Sequence, residues 1–129
     1  MKVAIDTNRL SDLFRGDQQL SSFLELCEHV FVPLPVLAEY KAGCLGGVRQ
    51  MENERALRVL FTKPNTHVLL PSRDTADHYA RLYLQLKLAG NPIPVNDLWI
   101  SALVVEHGLT LVTRDEHFRR LPQLNLQYP

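Results

Sequence analysis

The chain has little cysteine, no long apolar run, no glycine-rich phosphate loop and no excess of either charge. Only Cys27 and Cys44 occur in its 129 residues. They lack C-x-x-C spacing and read as reduced thiols rather than zinc ligands or a disulfide. No apolar stretch approaches the roughly 20 residues that span a bilayer, and Met1-Lys2 runs straight into the strand-like Val3-Ala4-Ile5 without a signal-peptide core. A soluble, cytoplasmic protein without membrane contact is expected. The patterns G-x-x-x-x-G-K-[ST], G-x-G-x-x-G and G-x-S-x-G are absent, which removes nucleotide-cradling loops and the hydrolase nucleophile elbow. His29, His67, His78, His107 and His117 show no metal-ligand spacing and read as surface or edge residues. Basic and acidic side chains balance at 14 each, which by itself argues against an avid nucleic-acid binder.

What the chain does have is four carboxylates at the same kind of position. Asp6 ends Val3-Ala4-Ile5, Glu39 lies just past Val30-Phe31-Val32, Asp97 opens the apolar stretch Leu98 to Val105, and Asp115 follows Leu109 to Val112. A carboxylate at the carboxyl end of a buried strand loses hydration, so several converging there need a cation. Taken singly, each has a plainer reading: Asp6 and Asp97 as helix N-caps, Glu39 as an exposed helical residue near Lys41, Asp115 as a cap or turn residue. Setting the four aside leaves 14 basic against 10 acidic side chains, a modest remainder that suits a transiently held polyanion better than a long duplex.

Short β-branched runs alternate with stretches of 3.6-residue periodicity, the pattern of an α/β domain with a mostly parallel sheet. Strands are expected at Val3 to Ile5, Val30 to Val32, Val68 to Leu70, Thr110 to Thr113 and, weakly, Asn125 to Gln127. Asn8 to Phe14 is a first helical segment, and Leu20, Phe23, Leu24 and Cys27 make the apolar face of another. Further helices are expected from Pro35 to Gly43, which places Glu39 on the second turn, and from Val48 to Phe61. One from Asp74 to Leu88 carries Ala76, Tyr79, Ala80, Tyr83 and Leu86 or Leu88 on its apolar side, and a last one, capped by Asn96 or Asp97, runs to Glu106 before Gly108. No linker, repeat or low-complexity tract divides the chain, so residues 1–129 are expected to form a single domain.

In a doubly wound sheet the first, second and fourth strands can be central neighbours, and their carboxyl ends then open into one crevice. Acids without His or Cys at ligand spacing select hard ions such as Mg²⁺ or Mn²⁺ over zinc. Two such ions would carry +4 against the −4 of the quartet, leaving a pocket ready to accept a phosphodiester. The reaction class is metal-assisted phosphodiester hydrolysis, with water as the nucleophile. A receiver domain or a small phosphatase fits less well, because Thr7-Asn8 follow Asp6 with no second Asp at the next-but-one position, and no lysine follows the fourth strand.

Asp6-Thr7-Asn8 after an N-terminal strand, Glu39 within Pro35-Val36-Leu37-Ala38-Glu39-Tyr40, Asn96-Asp97-Leu98-Trp99-Ile100-Ser101-Ala102 and Leu111-Val112-Thr113-Arg114-Asp115-Glu116-His117-Phe118 together resemble the PIN domain. Size and spacing look like the VapC-type toxin ribonucleases of VapBC toxin–antitoxin pairs. The resemblance covers essentially the whole chain. It implies a three-layer α/β/α sandwich with a five-stranded, mostly parallel sheet, an acidic Mg²⁺ or Mn²⁺ pocket, RNA cleavage, a VapB-like antitoxin covering the pocket, and a homodimer. Asp6, Glu39, Asp97 and Asp115 match the family's metal-ligating acids, and Thr113 matches a residue that orients a ligand or water. Asn8 and Asn96 are supporting candidates. Leu34-Pro35 stands where many relatives carry Ser or Thr, which makes Glu39 the least firmly positioned acid. Trp99 reads as core or as a dimer contact ahead of a base-stacking residue.

Of the basic residues near the expected mouth, Arg9, Arg114, Arg119 and Arg120, the first two adjoin motif acids. They are candidates for RNA phosphate or antitoxin carboxylate contacts, with a surface salt bridge as the alternative. Two other functional classes stay open on the sequence: a PIN-like module that binds a partner without catalysis, and a single-stranded or flap DNA nuclease using the same metals.

Overall fold

The computed structural model describes all 129 residues. Five strands, β1 (Lys2–Ile5), β2 (His29–Pro33), β3 (Thr66–Leu69), β4 (Thr110–Val112) and β5 (Asn125–Gln127), form one sheet in the order β3-β2-β1-β4-β5. Every neighbouring pair is parallel. The central strands are apolar on both faces because both faces are covered: Val3, Ala4, Leu111 and Val112 have no exposed surface.

The helices are α1 (Thr7–Phe14), α2 (Gln18–Glu25), α3 (Leu34–Cys44), α4 (Gln50–Phe61), α5 (Arg73–Leu88) and α6 (Val95–His107). Chain direction across the sheet decides which layer each joins. The crossovers β1 to β2 and β2 to β3 step one way and β3 to β4 steps back, so right-handed connections place α1–α4 on one face and α5–α6 on the other. The strand order reverses between β1 and β4, and the crevice at their carboxyl ends is where such sheets bind ligands.

Local chemistry explains the element ends. Asp6 caps α1 by accepting the Arg9 N–H at 2.9 Å, and Asp17 caps α2 by accepting the Leu20 N–H at 3.0 Å. Gly108 closes α6 in the left-handed conformation, with φ 61°. The start of α6 differs from expectation. Neither Asn96 nor Asp97 caps it: Pro94 occupies the cap position without a side-chain bond, and Asp97 sits in the first turn. Proline's fixed φ and the preference of the preceding residue for extended backbone start this helix sooner than a polar cap would.

Three further boundaries moved. β3 begins at Thr66, not Val68, because Thr66 pairs with Val30 in register and is buried, whereas Leu70 is exposed. β4 ends at Val112, before Thr113, and α4 starts at Gln50 past a fully exposed Val48. The buried stripe of α5 is Thr75, Leu82 and Leu86: of the expected apolar side, Leu86 faces the core and Tyr79 packs against it, whereas Ala76, Ala80, Tyr83 and Leu88 are exposed. Thr75 can be interior because its hydroxyl donates to Glu106 Oε1 at 2.5 Å and accepts the Ser72 N–H at 2.9 Å. Trp99 stacks on Tyr79 between α5 and α6, with ring centroids 4.5 Å apart, which turns it toward the helix layer.

Candidate active site

Two tight turns build the crevice from opposite sides of the switch point. After β1 the chain enters α1 at once, so Asp6, 4% exposed, stands at the strand end beside β4. After β4, Thr113 donates its hydroxyl to Asp6 Oδ2 at 2.5 Å and accepts the Asp115 N–H at 2.9 Å. One buried hydroxyl thereby ties two acids more than a hundred residues apart in sequence. Asp115 caps the short 3-10 turn Glu116–Arg120 by accepting the His117 N–H at 2.9 Å. Phe118, with no exposed surface, anchors that turn in the core.

Asp97 reaches the same space from the first turn of α6, and Glu39 from α3. The helix dipole favours a carboxylate at the Asp97 position. α3 starts directly on Leu34 with Pro35 in its first turn, so the missing Ser or Thr cap does not displace Glu39. Asn96 donates its amide to Glu39 Oε2 at 3.1 Å, joining α6 to α3 across the mouth. Together Asp6, Thr7, Asn8, Glu39, Pro94, Val95, Asn96, Asp97, Asp115 and His117 line a cavity of about 500 Å³.

The cavity contains four carboxylates, and neither Lys nor Arg lines it. Charge crowding is visible in the acids themselves. Asp97 is pushed up to about 6, first by loss of water and then by the charge of Asp115, against a smaller opposing pull from His117. Asp6 is also raised, mainly by burial, although the bonds from Thr113 and the Arg9 backbone favour its ionised form. Four carboxylates facing one another without a basic partner beyond one imidazole are a donor set that a divalent cation completes.

His117 is at the surface as expected, its side chain 40% exposed, but it borders the acids and was not expected to join them. Its Nδ1 is 3.3 Å from Asp97 Oδ2 and 3.2 Å from Asp115 Oδ1. Ligand atoms of Asp97, Asp115 and His117 all lie within 4.8 Å of one another. The available signal was the spacing Asp115-x-His117 on a tight turn, which brings an imidazole back over its own cap residue.

The arginines also differ from expectation. Arg9 is 2% exposed, so it does not stand at the mouth. Its guanidinium pairs with Asp12 at 3.1 Å and Asp17 at 3.6 Å, donates to the Pro129 carbonyl at 3.0 Å, and lies over the Tyr128 ring at 5.4 Å. Both terminal nitrogens of the guanidinium are therefore engaged, which lets the charge be interior, while the buried Nε has no partner. Arg114 is exposed but engaged, with Nε 2.9 Å from Asp12 Oδ2. That bond holds the Asp12 carboxyl below its ordinary range. Asp12 had given no sequence signal and is the shared partner of both arginines. Arg119 pairs with Glu116, and Arg120 donates to the Pro92 carbonyl.

The five-stranded parallel sheet carries an acidic cavity at its switch point, the layout of an α/β fold that works at its strand ends, and residues 3–124 match the family model of the PIN domain. The chain belongs to the PIN domain family. Among curated proteins it is 29% identical over 124 residues to Ribonuclease VapC1 of Haemophilus influenzae, covering 95% of this chain and 83% of that protein. It is also 29% identical over 94 residues to Ribonuclease VapC5 of Mycobacterium tuberculosis, covering 73% and 70%. Among solved structures, VapBC-1 from nontypeable Haemophilus influenzae aligns at a TM-score of 0.86 with 25% identity, over 98% of this chain and 97% of that one. VapBC2 from Rickettsia felis, bound to a DNA fragment from its promoter, aligns at 0.89 with 24% identity over 98% of both chains.

Proposed function

We propose that this chain is a metal-dependent endoribonuclease and the toxin of a type II toxin–antitoxin pair, working in the cytoplasm as a single domain of 129 residues. The observation that carries the reading is a cavity holding four carboxylates and no basic side chain except an imidazole. Membership of the PIN domain family and similarity to VapC ribonucleases supply the substrate class. No helix is long and apolar enough to cross a membrane.

In this reading Asp6, Asp97 and Asp115 hold Mg²⁺ or Mn²⁺ on the side of β1, β4 and α6, and Glu39 completes the negative wall from α3. The cation, when bound, polarises the scissile phosphodiester and eases ionisation of water. The other roles fall to the chain's own groups. Thr113 holds Asp6 and the Asp115 backbone in one arrangement, and Asn96 restrains Glu39. Thr7, whose hydroxyl is buried without a partner, and exposed Asn8 line the same cavity and offer donors to phosphate oxygens. With no Lys or Arg on the lining, substrate phosphate binding depends on the cation, and nonspecific affinity for polyanions is low.

A protein antitoxin and a second copy of the chain are the proposed partners. Arg114, exposed beside the cavity, holds Asp12 through Nε and Nη2 and keeps Nη1 for an antitoxin carboxylate. Purified protein incubated with matched RNA and DNA oligonucleotides in Mg²⁺, in Mn²⁺ and in EDTA tests the function. RNA cleavage that requires a cation and disappears in Asp6→Asn and Asp97→Asn, with both variants folded, is expected. Undiminished cleavage by the folded variants would sink this mechanism, and cleavage of DNA alone would move the substrate to DNA.

A further inference from the structure

We propose that His117 supplies a nitrogen ligand to the catalytic cation, making the site a mixed nitrogen–oxygen centre that favours Mn²⁺ over Mg²⁺. The inference rests on the metal-dependent reading above and adds a residue to it.

Three observations carry it. First, His117 Nδ1 lies 3.3 Å from Asp97 Oδ2 and 3.2 Å from Asp115 Oδ1. Adjacent donors of an octahedral ion with bonds of about 2.0–2.1 Å stand about 2.9–3.0 Å apart, so small side-chain shifts put Nδ1 next to either acid on one face of such an ion. Second, Nδ1 is buried yet makes no properly aligned hydrogen bond, although carboxylate oxygens flank it. A nitrogen pointed between two acids but not donating well to either has its lone-pair direction available to a cation. Third, both acids are held independently of the imidazole. Asp115 is fixed by its bonds to the His117 backbone N–H and the Thr113 hydroxyl, and Asp97 by its place on α6.

The backbone that carries the ring is held as well. His117 follows its cap residue by two on a turn pinned by buried Phe118. The turn fixes the His117 backbone, and so the position of its Cβ beside Asp115, and ligands whose backbone is preorganised lose less freedom on binding. The chemical consequence concerns metal choice. Oxygen-only sites suit Mg²⁺, whereas an imidazole raises affinity for first-row transition ions, of which Mn²⁺ is the hardest.

The test uses the wild-type chain first. Mn²⁺ is titrated under electron paramagnetic resonance to count bound ions, and pulsed measurement then looks for coupling of the bound ion to an imidazole ¹⁴N. Competition with Mg²⁺ gives the selectivity. Coupling in the wild type, lost in His117→Ala together with a drop on the order of tenfold or more in Mn²⁺ affinity and a smaller drop for Mg²⁺, is the expected result. His117→Gln serves if the alanine variant melts. Mn²⁺ that binds the wild type without nitrogen coupling, or equal Mn²⁺ and Mg²⁺ losses in the variants, overturns the assignment of His117 and leaves the acid site standing. Failure of the wild type to bind Mn²⁺ or Mg²⁺ at all overturns the metal-dependent function itself, and with it this ligand.

Discussion

Replacing Asp97 with asparagine should stabilise the metal-free protein while destroying its response to metal. The Asp97 carboxyl is held up to about 6 from 3.8 in the fold, a rise of about two pH units at about 1.4 kcal/mol each, or about 3 kcal/mol. Its side chain is 19% exposed, so solvent screening trims this to roughly 2–3 kcal/mol. The opposing pull of His117 is already contained in the net rise. Because the folded state keeps its proton to higher pH than the unfolded state, stability falls as pH climbs from about 4 to about 6 and stays low above that. Asp6, also raised, adds to the fall. In EDTA at pH 8, Asp97→Asn should therefore melt higher than the wild type, by roughly 10 °C for a chain of this size, while near pH 4 the two should coincide. Mn²⁺ should raise the wild type alone and close the gap, since a ligand at a hundred times its Kd adds about 2.7 kcal/mol to the protein that binds it. Thermal melts by circular dichroism, with and without Mn²⁺ at both pH values, measure all of this. A variant that melts at or below the wild type in EDTA at pH 8 would show that uncompensated negative charge is not what the fold tolerates at this cavity.

Thr113→Val removes the donor to Asp6 and the acceptor of the Asp115 N–H. Two buried partners lost should cost about 2–4 kcal/mol in a metal-free denaturant melt and weaken Mn²⁺ binding as measured by calorimetry, whereas Thr113→Ser should restore most of both. Arg9→Met keeps the apolar stem but removes the partner of Asp17 and one of the two partners of Asp12, and should destabilise by about 1.5–3 kcal/mol. A merely surface arginine would leave the melt unmoved. Arg114→Ala is the exposed control and should shift it little.

Much of the architecture was readable along the chain because it is written in local patterns. Val3-Ala4-Ile5 and Leu111-Val112 can only be strands covered on both faces, and the Asp6 and Asp115 positions follow from where those runs stop. The plainer reading of these two acids also holds: Asp6 caps α1 and Asp115 caps the 3-10 turn. Capping and site chemistry coincide, since a cap uses one oxygen of a carboxylate and leaves lone pairs on both.

Residues whose role depends on distant partners were not readable. Arg9 looked like a surface arginine because nothing near it in sequence announces Asp17 and the Pro129 carbonyl as its partners. His117 looked isolated because its companion Asp97 lies on α6, which packs beside the turn only once α5 and α6 cover their face of the sheet. The edge strand β3 starts two residues earlier and ends one earlier because its bounds come from pairing with β2, not from its own apolar run. Local composition thus determined the strands, the helix starts and four acids at strand or helix ends. Long-range packing decided that those acids share one cavity, that an imidazole joins them and that the arginines turn elsewhere, since desolvation and charge pairing act through space and not along the chain.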